Sequence, residues 1–277
     1  MNASVPVHRP PPLWAGRRRA LFTEANAARI QNYLLGGKDN YAVDRDLAER
    51  ILAVQPHWAN AARAGRAFTD RAVRALLARG VRQFIDVGCG LPLLESAEHG
   101  IATRHAPSAR VVYVDHDPMV LAHARALLSQ DAEVAVIDAD LRRRGALLGG
   151  AFGCGLLDER EPIAVLLTSV LHFLTEADRP HDLLAEIRDV VAPGSALVIS
   201  HATADFSPEP SREAARLFSE ASSCPLVLRG EQEIGRYFGD FELADPGLVP
   251  TTLWRPKGPA RGAHQALMYA GVGIRAS

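Results

Sequence analysis

Lysine is almost missing: Lys38 and Lys257 are the only two in 277 residues, so nearly all the basic charge is arginine, and acids and bases balance to a net charge of -1. That balance offers no electrostatic footprint for nucleic acid, because phosphate-binding domains carry a basic excess. Cysteine is scarce too. Cys89, Cys154 and Cys224 are odd in number, far apart and without a Cys-x-x-Cys pair, which argues for reduced intracellular thiols and against a disulfide framework or a zinc site. No run approaches the ~20 apolar residues of a membrane span. The N-terminus, with Pro10 to Pro12 and Arg17 to Arg19, lacks the basic-then-apolar order of a secretory signal. A cytoplasmic protein follows as the expectation, with no membrane, nucleic-acid or metal partner.

What is present suffices for a sizeable core, since 48% of the residues are hydrophobic. Residues 1–22 are rich in proline and arginine and read as an extended or disordered arm. A helical pattern runs from Glu24 to the Gly36-Gly37 pair, and a second from Asp44 to Val54, stopping before Pro56. A third repeats apolar residues at three and four from Trp58 through Phe68 and Val73 to Leu76, and Gly80 marks its end. Residues 23–80 thus form an expected N-terminal helical cap, followed by a domain over 81–277.

Apolar segments of strand length then recur at 82–87, 110–115, 133–137, 162–168 and 195–200, with helical patterns at 93–104, 119–129 and 178–191. Residues 142–160 hold five glycines and read as a long connection with at most one helical turn. Helical stretches at 211–222 and 231–238 precede two last strands, 241–244 and 265–274, with no helix between them. Strand–helix alternation implies a parallel sheet covered on both faces, closed by an antiparallel pair. The expected fold is α/β, a Rossmann-like doubly wound sheet of seven strands, mostly parallel with an antiparallel last strand.

The first strand ends in Asp86 and then Gly88 and Gly90, a spacing that makes a tight turn whose backbone can approach a ligand. Asp115 ends the second strand 25 residues after Gly90, where an acid bonds the ribose hydroxyls of adenosine cofactors. A dinucleotide would require a third glycine where Leu93 stands. Pro92 removes an N–H and Glu95 adds negative charge where a pyrophosphate would lie. An adenosine cofactor without phosphates fits better.

These residues carry a family resemblance. Phe84-Ile-Asp-Val-Gly-Cys-Gly90, Val112-Tyr-Val-Asp-His-Asp-Pro118 and Val134-Ala-Val-Ile-Asp-Ala-Asp140 resemble the first three motifs of class I S-adenosylmethionine-dependent methyltransferases. Val170-Leu-His-Phe-Leu174 and the Val191 to Ser200 segment resemble the fourth and fifth strand regions. More narrowly, Tyr33-Leu-Leu-Gly-Gly-Lys-Asp-Asn40 and Gly88-Cys-Gly-Leu-Pro92 resemble an actinobacterial S-adenosyl methyltransferase family formerly known as a domain of unknown function, over about residues 24 to 274. The resemblance implies S-adenosylmethionine as cofactor, with Gly88 and Gly90 under its ribose and methionine part and Asp86 holding the turn or receiving the methionine amine. It gives Asp115 the ribose hydroxyls and sets His116 beside the adenine. Asp140 would accept from the adenine amino group, with Asp138 its competitor two residues earlier, and the Leu141 backbone would meet a ring nitrogen. Thr168 and Ser169 would line the methyl-bearing sulfonium. Arg66 resembles an arginine that grips the methionine carboxylate in carboxyl-methylating relatives; the other reading is a solvated helix arginine.

Methyl transfer from a sulfonium is an in-line displacement, so the protein chiefly holds donor and acceptor about 3 to 3.5 Å apart and, where needed, removes a proton. Tyr33, Lys38 and His172 are the catalytic candidates, with Asp39, Asn40 and His201 as further acceptor-side groups. His172, flanked by Leu171 and Phe173, reads equally as a packing residue, and 33–40 as an ordinary helix-ending loop. The Asn/Asp-Pro-Pro-Tyr/Phe motif of base-amino methylation is absent. The expected activity is methyl transfer to a small molecule or natural-product intermediate. The alternatives are a non-catalytic binder of S-adenosylmethionine or S-adenosylhomocysteine and, less fitting, a nicotinamide-dependent oxidoreductase.

Overall fold

The computed structural model describes residues 23–92, 106, 108–128, 132–258, 262 and 265–276. The expected N-terminal arm (1–22), the helix at 93–104 and Leu93 itself lie outside the described residues. Among the described residues, α1 (Ala27–Leu34), α2 (Ala42–Val54) and α3 (Trp58–Ala78) precede the sheet. The sheet follows with β1 (Gln83–Val87), β2 (Arg110–Asp115), β3 (Val134–Asp138), β4 (Ile163–Thr168) and β5 (Ala196–Ala202), all parallel. Between them lie α4 (Pro118–Leu127), α5 (Ala146–Gly153) and α6 (Pro180–Val190). After β5 come α7 (Pro208–Ala221), α8 (Glu231–Arg236), the two-residue strands β6 (Glu242–Leu243) and β7 (Val249–Pro250), and β8 (Met268–Ile274).

The strand order is β3-β2-β1-β4-β5-β8-β6, with β8 antiparallel to β5, β6 and β7. The chain starts in the middle of the sheet, winds outward to β3 and then reverses to the other side. That reversal opens a crevice beyond the carboxyl ends of β1 and β4, where doubly wound folds bind ligands.

Each central strand is buried on both faces. In β1, Phe84 packs with Phe68, Val73 and Leu76 of α3, while Ile85 and Val87 face the opposite core with Leu147, Leu184 and Ile187 of α5 and α6. α3 therefore shares its core with the sheet. The layer above the crevice is a third cluster, made by Ile30 and Leu34 of α1, Leu47 and Ile51 of α2, and Ala214 and Phe218 of α7. The helical layer is thus built from both ends of the chain.

Four local features depart from expectation. α5 occupies the glycine-bearing segment read as a connection: Leu147, Leu148 and Ala151 are buried, and a Cβ at Gly150 would stand 2.9 Å from Ile137 Cγ2, so that glycine serves close helix–strand approach. α7 begins at Pro208 and not at 211, because proline suits the first helical turn. β7 is an eighth strand, a two-residue pairing too short to show a pattern. β5 runs on to Ala202 and carries His201 inside the sheet.

The helical layer has an ionic centre. Asp44, fully buried, accepts from Arg29 Nε at 2.6 Å, from the Asn26 amide at 2.9 Å and from the Tyr41 amide at 2.8 Å. Removing one member of such a buried pair strands the other charge. Asp44→Ala is expected to cost ~3–5 kcal/mol in urea denaturation; a loss below ~1 kcal/mol, the scale of a surface pair, would contradict the reading.

Candidate active site

β1 ends in a turn whose backbone favours glycine. Gly88 and Gly90 have φ of 65° and 66°, in the left-handed region that side chains disfavour. A Cβ at Gly88 would stand 2.6 Å from Val170 Cγ2, whereas Gly90 has nothing within 4 Å on that side. Gly88 and Cys89 donate to the Val114 carbonyl at 2.8 and 3.3 Å. Gly90 donates to Asp115 Oδ2 at 3.2 Å, and Asp115 Oδ1 accepts from the His116 and Asp117 amides at 2.8 and 3.0 Å. Burial pushes the Asp115 carboxyl upward while these amides pull it back.

The turn opens into a cavity of about 510 Å³, the size range of small-molecule sites. One part of its wall comes from the loops after β1, β2 and β3 and holds Gly88, Gly90, Leu91, Pro92, Asp115, His116, Asp140 and Leu141. Thr168 and Ser169 stand at the end of β4, and Arg66 and Asp86 face the same space. Asp138 does not line it; Asp140 does. The opposite part comes from α1, the start of α3, the turn after β4, and α7 with its following segment.

Two helix caps join across the rim. Asn26 caps α1 through Oδ1, accepting from Ala28 and Arg29 amides, and Asp117 caps α4 by accepting from Met119 and Val120 amides. Asn26 Nδ2 then donates to Asp117 Oδ2 at 2.8 Å. Nearby, His123 Nε2 lies 3.8 Å from Asp39 Oδ1.

Residues 16–276 match the family described as S-adenosyl methyltransferase. The chain belongs to that family. It is an S-adenosylmethionine-dependent methyltransferase. Among solved structures it is similar to a candidate methyltransferase from Thermobifida fusca, at 38% identity and a TM-score of 0.85, covering 92% of this chain and 97% of that one. A DUF574 family protein from Streptomyces avermitilis has the same TM-score at 31% identity, covering 91% and 98%. No curated protein matches the chain.

In this methyltransferase the ten residues expected at the cofactor, Arg66, Asp86, Gly88, Gly90, Asp115, His116, Asp140, Leu141, Thr168 and Ser169, all line one cavity. Two of the three catalytic candidates do not. Tyr33 is turned toward α2, where its hydroxyl donates to Glu49 Oε1 at 2.5 Å, and Lys38 is exposed. The helical period explains this: α1 presents Ile30, Gln31, Leu34 and Leu35 to the cavity, which leaves Tyr33 on another face. The Gly36 to Asn40 loop folds back on Asn32, whose Oδ1 accepts from the Asp39 amide and Asn40 Nδ2 at 2.9 and 3.0 Å. Its chemistry is spent on a helix-ending turn. Asn26, Asn32 and Phe218 line the cavity but were not singled out by sequence; Asn26, a residue type that favours the N-cap, stands directly before Ala27, inside the helical pattern read from Glu24.

Electrostatics separate the charged groups. Burial raises the Asp86 carboxyl to about 7, with Arg66 opposing and Asp115 adding to the rise. Burial lowers the Arg66 guanidinium, and Asp86 and Tyr113 oppose that. Asp140 is held low by Arg142, whose Nε and Nη2 both donate to it, at 2.9 and 2.8 Å. Ser169 sits at φ 58° with its amide bonded to the Ser200 carbonyl and hydroxyl at 3.1 and 3.0 Å, a strained residue held in place at the site.

His172 lines the cavity and His201 lies behind it, their ring centroids 5.5 Å apart. The buried Arg229 guanidinium donates to His201 Nε2 at 3.1 Å, so that nitrogen carries no proton and Nδ1–H donates to the Ala202 carbonyl at 2.8 Å. For His172 it is Nδ1 that accepts, from the Ala202 amide at 3.4 Å, which leaves the proton on Nε2. Burial and Arg229 hold His201 down to about 3, and burial with His201 holds His172 well below its ordinary value. Nitrogen-15 NMR is expected to show both rings neutral at pH 5.5 with opposite tautomers. A titration midpoint above pH 6 for either would overturn the assignment.

Proposed function

We propose that the enzyme methylates a small molecule, a natural-product intermediate being the class in view, beneath a helical cap that begins with residues 23–80. When bound, S-adenosylmethionine supplies an electrophilic methyl group on a sulfonium, which passes in line to a nucleophilic atom and leaves a neutral thioether. The observation that carries this reading is the continuity of the cavity: the glycine turn with Asp115 at one end, and the space under α1 and α7 at the other, belong to one wall.

The fit of the residues to this cofactor supports specific roles. Gly90 has no side chain to obstruct its open face, so the ribose and methionine part can lie against the backbone there. Asp115 Oδ2 accepts from the Gly90 amide and keeps a lone pair for the ribose hydroxyls. Asp140 would accept from the adenine amino group, with the Leu141 amide on a ring nitrogen and His116 against the ring. Arg66 would hold the methionine carboxylate and Asp86 its ammonium, two charges of opposite sign facing two of opposite sign. Thr168 and Ser169 flank the transfer position. His172, neutral with Nε2 as donor, would orient the acceptor and not take its proton.

Asp115→Ala is expected to weaken S-adenosylmethionine binding by ~1–3 kcal/mol, the scale of leaving hydroxyl partners unpaired, measured by calorimetry; unchanged affinity would refute the ribose role. Because Asp86 must be ionised to receive an ammonium, affinity should fall as pH drops below about 7, by up to about tenfold per unit. Asp86→Asn should bind more weakly at pH 8 and lose that dependence. A pH profile unaffected by the substitution would remove Asp86 from the role.

A further inference from the structure

The cavity is divided by charge. Its Asp and Arg wall residues, Arg66, Asp86, Asp115, Asp117, Asp140 and Arg142, come from α3 and from the β1, β2 and β3 ends with their following loops. The remaining wall holds Leu34, Trp58, Ala62, Phe173, Phe218 and Leu228, and among the described residues no Asp, Glu, Lys or Arg. α3 crosses both parts. Trp58, Ala61 and Ala62 face the uncharged half and Arg66 the charged one, a span of about 12 Å from residue 58 to 66 at the helical rise.

We infer that the half beneath α1 and α7 receives an uncharged, largely apolar acceptor with a flat ring. This rests on the cavity being the methyl-transfer site proposed above. An ion placed there would shed its hydration with no counter-charge in the wall, a cost that a neutral ring does not meet. Phe173 and Phe218 are stacked, with centroids 5.7 Å apart and planes 21° from parallel, and offer aromatic surface to a ring. The titratable groups of this half are neutral as well. Burial raises the Cys224 thiol to about 11, and His172 is held well below its ordinary value.

The test is calorimetry on the full chain saturated with S-adenosylhomocysteine, using 1-naphthol, 1-naphthoate and 1-naphthylmethylammonium as probes. 1-Naphthol is expected to bind at least about tenfold tighter than either ion. Leu228→Glu, at a half-buried wall position, should weaken 1-naphthol by about tenfold while S-adenosylhomocysteine stays within about twofold. Leu228→Gln, of similar shape without the charge, should keep most of the 1-naphthol affinity. Equal or tighter binding of an ion, no measurable binding of 1-naphthol, or the same loss in both Leu228 variants overturns the inference. Failure of S-adenosylhomocysteine to saturate the chain would instead overturn the site reading beneath it.

Discussion

The hydrogen bond from the Gly90 amide to the Asp115 carboxylate is the constraint on which the site depends. It joins the turn after β1 to the end of β2. The same carboxylate gathers the His116 and Asp117 amides, so one buried acid shapes two loops at adjacent strand ends. Burial of that charge is tolerated because three N–H groups face it. The neighbouring strand joins as well, since the Ala139 amide donates to the Asp115 carbonyl at 3.0 Å. Three loops are therefore set by one residue's polar atoms before any ligand arrives.

A second set of contacts places the helical layer over those loops. Asp44 organises α1 and α2 around a buried charge, and the Asn26–Asp117 bond fastens that unit to the start of α4. α7 completes the layer, and Gln55 Nε2 reaches Ser211 Oγ at 3.3 Å across 156 residues of sequence. Behind the cavity, Arg229 binds His201, the Leu174 carbonyl, Glu176 and Glu233. Burial, assisted by this cation, holds both histidines well below their ordinary values, and the cation itself is not part of the cavity wall.

Sequence reasoning succeeded where local backbone needs dictate residue type. Gly88 and Gly90 are required by positive φ, and an acid at the end of β2 follows from the pattern of strand termini. Asp140 and Asp138 could not be separated in sequence because both stand at the carboxyl end of β3, Asp138 as its last residue; the turn after the strand brings only Asp140 into the wall. Tertiary facts stayed hidden. The glycines of α5 look like loop residues until Ile137 is seen against Gly150. Tyr33 and Lys38 looked chemically rich, yet which side of α1 meets the cavity is decided by where α2 packs. A helical stretch at the place of α7 was legible, but its partners, α1 and α2, lie at the other end of the chain.

α3 sets the separation between the two halves of the cavity by its length alone. A rigid helix cannot change that spacing by small increments: inserting one residue turns every later side chain by about 100° and would swing Arg66 out of the cavity. The distance between the charged and the uncharged part of the wall is therefore quantised in helical turns.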